Sequence, residues 1–155
     1  HGLPSECQIS DIFSLFKSIT EDASVGKLGS EYIPSFYKVY VLENYNEPIQ
    51  VWFKDNAILK IEAKYPQLSA NQYQAITKAL GEPTDKLDYY FDILMIPNGE
   101  WVYPKRGISL FLNADGTGLV NLSVYHPTSL ETYKRNIRKP FYPPREFPVK
   151  ELDNE

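Results

Sequence analysis

The chain has 155 residues, of which 43% are hydrophobic and 14% aromatic, and a formal net charge of −4. This is enough apolar material for one domain or two closely packed subdomains with a buried core, and it excludes a disordered chain. No apolar run approaches the length of a membrane span, and the acidic balance argues against nucleic acid or anionic lipid as a partner.

In chain order, residues 9–19 predict a short helix, with Ile12, Leu15, Phe16 and Ile19 at helical spacing and Ser10 as its cap. Residues 20–35 read as a loop. The alternating, Tyr- and Val-rich run from Phe36 to Glu43 predicts a strand, and Asn44 to Pro48 a turn. Residues 49–54 and 57–64 predict a hairpin around Asp55 and Asn56. Leu59, Ile61 and Ala63 alternate with Lys60, Glu62 and Lys64, which predicts a buried apolar face and a solvated polar one.

Ser69-Ala70-Asn71-Gln72 is a capping-box pattern and opens a helix that runs to about Leu80 and stops at Gly81. Residues 88–96 predict a strand, Pro97-Asn98-Gly99 a tight hairpin turn, and residues 100–103 a short strand. Residues 108–113 and 119–125 predict a further hairpin, its Asp115-Gly116-Thr117-Gly118 tip supplying glycines for positive φ. A third helix is expected over residues 129–139, packed through Tyr133 and Ile137. A Pro-rich strap follows from Phe141, with Phe141 and Tyr142 expected against the body.

The segment from Ile49 to Pro66 matches the segment from Ile108 to Pro127, and Leu28-Gly29 stands where Leu80-Gly81 stands. A period of about 60 residues suits a duplicated small α/β unit. The predicted class is therefore α+β: a helix plus antiparallel sheet unit in tandem, over 1–66 and 67–127, with a C-terminal helix and tail over 128–155. The apolar positions Val51, Phe53, Leu59, Ile61, Leu110, Leu112, Val120 and Leu122 are its expected core.

Ala79-Leu80-Gly81-Glu82-Pro83 and the run from Trp101 to Ile108 carry a resemblance, with a weaker first copy at Lys27-Leu28-Gly29 and Gln50-Val51-Trp52-Phe53. The pattern resembles the BamE-like (SmpA/OmlA) envelope lipoproteins. Two such units in tandem resemble the β-lactamase inhibitory protein architecture. The resemblance covers about residues 9–127 and implies a binding module outside the cytoplasm.

Candidate chemistry is sparse. The single cysteine, Cys7, excludes an internal disulfide and a cysteine-based zinc site. His1 and His126 are the only histidines, and a histidine-brace copper site is the use that pair would have; His1 as a processing scar is the plainer reading. Asp88, Asp92 and Glu100 form the best carboxylate set for hydrolysis, against the plainer reading of a solvated sheet face. No G-x-S-x-G, Walker or G-x-G-x-x-G motif occurs.

Interaction features are stronger. Residues 131–150 hold six basic and two acidic residues, in a chain that is acidic elsewhere. Trp101, Tyr103, Lys105 and Arg106 have the aromatic-plus-arginine composition of an interface. With Arg135, Arg138, Phe141, Tyr142 and Arg145 they are the candidate protein-contact residues. The expectation is a non-catalytic protein-binding module, monomeric or weakly dimeric, with an acidic protein partner and no cofactor, metal or nucleic acid. The non-Met start and the abundance of tyrosine point to an extracytoplasmic place, whether periplasm, envelope or secreted.

Overall fold

The computed structural model describes residues 19–21, 37–42, 49–54, 57–91 and 94–138. Within them lie strands β1 (Ile19–Glu21), β2 (Tyr37–Leu42), β3 (Ile49–Lys54) and β4 (Ala57–Lys64). Helix α1 (Ala70–Leu80) is followed by β5 (Asp85–Phe91), β6 (Leu94–Tyr103), a 3-10 turn (Pro104–Arg106), β7 (Ile108–Leu112) and β8 (Leu119–Val124). Helix α2 (Leu130–Thr132) continues into a π-type segment, Tyr133–Arg138; together they are the C-terminal helix.

The strands form one antiparallel sheet of eight in the order β1-β2-β3-β4-β8-β7-β6-β5. Two four-stranded meanders thus meet through their last strands, with Ile61 opposite Val124 and Ala63 opposite Leu122. The expected hairpins over 49–64 and 108–125 are both present, each as the last hairpin of its meander. The expected helix over 9–19, the turns at 44–48 and 55–56, and the strap from 141 lie outside the described residues, except that Ile19 opens a strand.

Helix α1 forms where its sequence signals predict. The Ser69 hydroxyl accepts from the Gln72 N–H at 3.3 Å, and the Gln72 side chain accepts from the Ser69 N–H at 2.9 Å. Gly81 ends it at φ 71° with its N–H donating to Thr77. Tyr73, Ile76 and Leu80 pack over Tyr103, Leu110, Leu112 and Leu119, making the core on this face. Eleven residues give α1 a length of about 16 Å, enough to span roughly three strands. Ile61 and Leu122 on this face are half-buried, and so are Leu59 and Val120, which pack on the opposite face beside Tyr133 and Phe111; Val51, Phe53, Leu110 and Leu112 are buried as expected.

Two expectations are corrected. Pro97-Asn98-Gly99 is not a hairpin turn but a bulge inside β6 opposite Asp88, because the pairing steps from Leu87–Glu100 to Tyr89–Ile96. Asn98 takes φ 51°, and its N–H donates to the Asp88 carboxylate at 2.8 Å. Gly99 is required by close approach: a Cβ there would lie 2.5 Å from Ile96 and 2.7 Å from Tyr89.

The second correction concerns β4. Lys60 and Glu62, expected in water, are 2% and 1% exposed and are more buried than Leu59 and Ile61. Glu62 lies in register with Ser123, Ser123 with Ser109, and Ser109 with Val102. Val102 and Tyr125 in turn pack against Tyr133 and Ile137 of the C-terminal helix. Alternation separates the two faces of a strand, but what lies over each face decides which is dry.

Candidate functional site

The buried polar face uses its charges internally. The Glu62 carboxylate accepts from Lys60 at 2.5 Å, from Lys64 at 3.0 Å and from the Ser123 hydroxyl at 3.0 Å. Burial alone would raise the Glu62 pKa, but Lys60 and Lys64 outweigh it and hold the carboxyl well below the usual range. Burial depresses the Lys60 ammonium despite its carboxylate neighbour.

Glu100, wholly buried on β6, accepts from the Tyr133 hydroxyl and from Arg138 Nε at 2.5 Å. Burial raises this carboxyl, and the Arg138 charge opposes only part of that rise. Arg138 also donates to the Asp88 carbonyl, and Lys134 bridges to Asp85 at 2.7 Å. The C-terminal helix is thus fastened to β5 and β6 by ion pairs and by the buried Tyr133 and Ile137, in line with the helix expected over 129–139.

The sequence-derived candidates are therefore dispersed. Trp101 is half-buried, packs with the α1 core and carries Lys86 Nζ 4.8 Å from its ring centre. Tyr103 is buried and donates to the Gly81 carbonyl at 2.9 Å. Lys105 and Arg106 are exposed, and Arg106 donates to the Ala79 carbonyl at 3.1 Å. Arg135 is exposed, and Arg138 is half-buried on Glu100. Phe141, Tyr142 and Arg145 lie outside the described residues.

The two described carboxylates of the set, Asp88 and Glu100, do not converge on a cleft. Asp88 is exposed and engaged by Asn98, Glu100 is sealed under the C-terminal helix, and Asp92 lies outside the described residues. His126 is half-buried and His1 lies outside the described residues. Among the described residues, no three His, Cys, Asp or Glu side chains are grouped to hold a metal. The Asp115 carboxylate is taken by the Thr117 N–H and hydroxyl at 3.0 and 2.6 Å, which closes the hairpin tip on itself.

A different place has the form of a binding site. At the corner where β4 ends and the β5–β6 hairpin begins, a cleft of about 340 Å³ is lined by Lys64, Tyr65, Tyr89, Tyr90, Phe91, Phe111, Val120 and Asn121. One wall is closely packed. The Tyr89 and Phe111 rings meet edge to face at 5.3 Å with Ile96 behind them, and the Tyr89 hydroxyl donates to the Leu112 carbonyl. Burial pushes the Tyr89 phenol up to about 12, so it stays a proton donor at any ordinary pH.

The rim is apolar and open. Tyr65, Phe91, Leu94 and Met95 are 53%, 38%, 52% and 46% exposed. Tyr65 and Phe91 meet edge to face at 6.1 Å and Leu94 lies opposite Phe91, whereas Met95, opposite Tyr90, points to the other face of the strand. Tyr65 stands at φ 49° with its N–H donating to the Val120 carbonyl at 2.9 Å. A bulky residue in the left-handed region is held at a cost of about 1–2 kcal/mol.

The sequence reading leaves Tyr65 just beyond the strand over 57–64 and takes Leu94-Met95-Ile96 as the end of the strand over 88–96. The available signal was an unbroken apolar run in a strand that pairs near the sheet edge, where alternation would have left one face polar. Comparison with known proteins returns no match to a family model, a curated protein sequence or a solved structure.

Proposed function

We propose that the protein is a non-catalytic, extracytoplasmic protein-binding module, and that its contact surface is the corner formed by Tyr65, Phe91 and Leu94. The observation that carries the reading is this group of exposed large apolar side chains beside a preformed cleft. Contiguous exposed apolar surface next to a concave pocket is the usual mark of an interaction site. The core behind it positions the surface without using it, as a scaffold does.

We also read the two meanders as copies of one unit. The support is the mirrored strand order and the equivalent last hairpins of each meander. This keeps the resemblance to BamE-like envelope lipoproteins and to the β-lactamase inhibitory protein architecture as part of the same proposal. Lys105 and Arg106 on the 3-10 turn and Arg135 on the C-terminal helix are exposed but do not line the cleft.

The test is site-specific photocrosslinking in the protein's native compartment. A benzoylphenylalanine at Leu94 is expected to give a discrete adduct that the same probe at Lys105 gives weakly or not at all. Equal adducts at both places, or adducts only at Lys105, would move the contact surface away from this corner.

A further inference from the structure

We propose that the cleft receives an aromatic side chain of the partner with a carboxylate beside it in the partner's sequence. The proposal rests on the reading of this corner as the contact surface and names what the surface selects.

The aromatic preference follows from the walls. Tyr65 and Phe91 stand nearly perpendicular at 87°, and Tyr89 and Phe111 at 83°. Perpendicular rings offer both faces and edges to an inserted ring, the geometry in which aromatic pairs gain most beyond burial. A volume of about 340 Å³ is at the small end of ligand clefts and suits one aromatic side chain with its adjoining peptide.

The charge preference follows from Lys64. Its side chain lines the cleft and is 29% exposed, while its partner Glu62 is already bonded to the buried Lys60. Lys60 and Lys64 share this carboxylate, and Lys60 also lies in the field of the buried Glu100. Of the two lysines, Lys64 is the one that reaches solvent. Asp88, between Leu87 and Tyr89 on β5, points to the opposite face of the sheet from Tyr89. An incoming carboxylate beside the aromatic ring therefore meets a cation, and an incoming ammonium meets repulsion across a partly desolvated gap.

The occupant is a protein segment rather than a free aromatic acid. The apolar rim continues past the cleft at Leu94, opposite Phe91, and would stay uncovered by a small molecule.

The experiment is an amide-resolved NMR titration of the full chain with three blocked tetrapeptides. Their central pairs are Trp-Asp, Trp-Lys and Ala-Asp. The Trp-Asp peptide is expected to shift the Phe91, Val120 and Asn121 amides and to bind about tenfold more tightly than either of the others. Lys64→Met is expected to bring Trp-Asp down to the level of Trp-Lys. Phe91→Ala, a change at an exposed position, is expected to keep the fold and to weaken Trp-Asp about fivefold. Equal binding of Trp-Asp and Trp-Lys, unchanged binding in both variants, or shifts elsewhere on the sheet would overturn the proposal. Indole-3-acetate binding as tightly as the peptide would overturn the protein-segment assignment. None of these outcomes alters the crosslinking at Leu94, which tests the contact surface separately.

Discussion

On the face under α1, Trp101, Leu110, Leu122 and Ala63 line up across β6, β7, β8 and β4; on the opposite face the same strands contribute Val102, Ser109, Ser123 and Glu62. The first row is apolar throughout and only partly dry, because α1 is too short to cover it. The second row is mostly polar, yet its Val102, Ser109, Ser123 and Glu62 are 1% exposed or less. One face is held by shape and apolar area, the other by matched charges and hydroxyls. The lesson is that polarity along a strand records what partners a face has, and burial records what covers it.

The comparison breaks most visibly at Glu62. Glu62→Ala removes the carboxylate that two lysines share and takes from the buried Lys60 its ion-pair partner. A loss of about 3–5 kcal/mol in urea unfolding is expected. The double change Lys60→Met with Glu62→Leu is expected to recover most of it, because a well-packed apolar pair avoids the desolvation cost. On the α1 face, Leu110→Ala is expected to cost about 3 kcal/mol through lost burial and a cavity. No second-site charge change should rescue it.

The pH response sharpens the contrast between the two buried carboxylates. Glu62 is depressed in the folded protein, so its contribution is fully present above the ordinary carboxylate pKa and is lost as pH falls through and below it. Glu100 is raised, so the unfolded chain ionises it first. Its effect on stability worsens as pH rises from the ordinary carboxylate value to the raised one, and is recovered on acidification. Stability is therefore expected to rise slightly on mild acidification and then drop steeply below about pH 4. Glu100→Gln should abolish the rise and leave the drop, read from midpoint denaturant concentrations across pH. A smaller effect is expected at the α1 cap, where Ser69→Ala should cost about 1 kcal/mol with no pH dependence near neutrality.

Legibility in the sequence followed the same division. Local signals placed α1 nearly to the residue, because a capping box and a terminal glycine act within a few residues of themselves. The hairpins over 49–64 and 108–125 were legible from alternation, and so was the C-terminal helix with Tyr133 and Ile137 inward. The polarity of β4 was misread because its cross-strand partner is remote: Ser123 is 61 residues from Glu62. Pro97-Asn98-Gly99 has turn chemistry, and the structure spends it on a bulge whose glycine admits Ile96 and Tyr89. The corner at Tyr65 was not legible, since nothing local marks a tyrosine before Pro66 as left-handed or as a neighbour of Phe91.

The central claim is that this corner retains exposed apolar side chains and a strained tyrosine for contact and not for folding. Thermal and urea unfolding of Tyr65→Gly test it most directly. Glycine takes φ 49° freely and keeps the backbone bond to Val120, while the ring that leaves is 53% exposed. The account predicts that stability rises by about 0.5 kcal/mol, the relief of strain exceeding the added chain entropy and the lost edge-to-face contact. A fall in stability of 1 kcal/mol or so would show that Tyr65 is held there by the fold's own needs, and would contradict the claim.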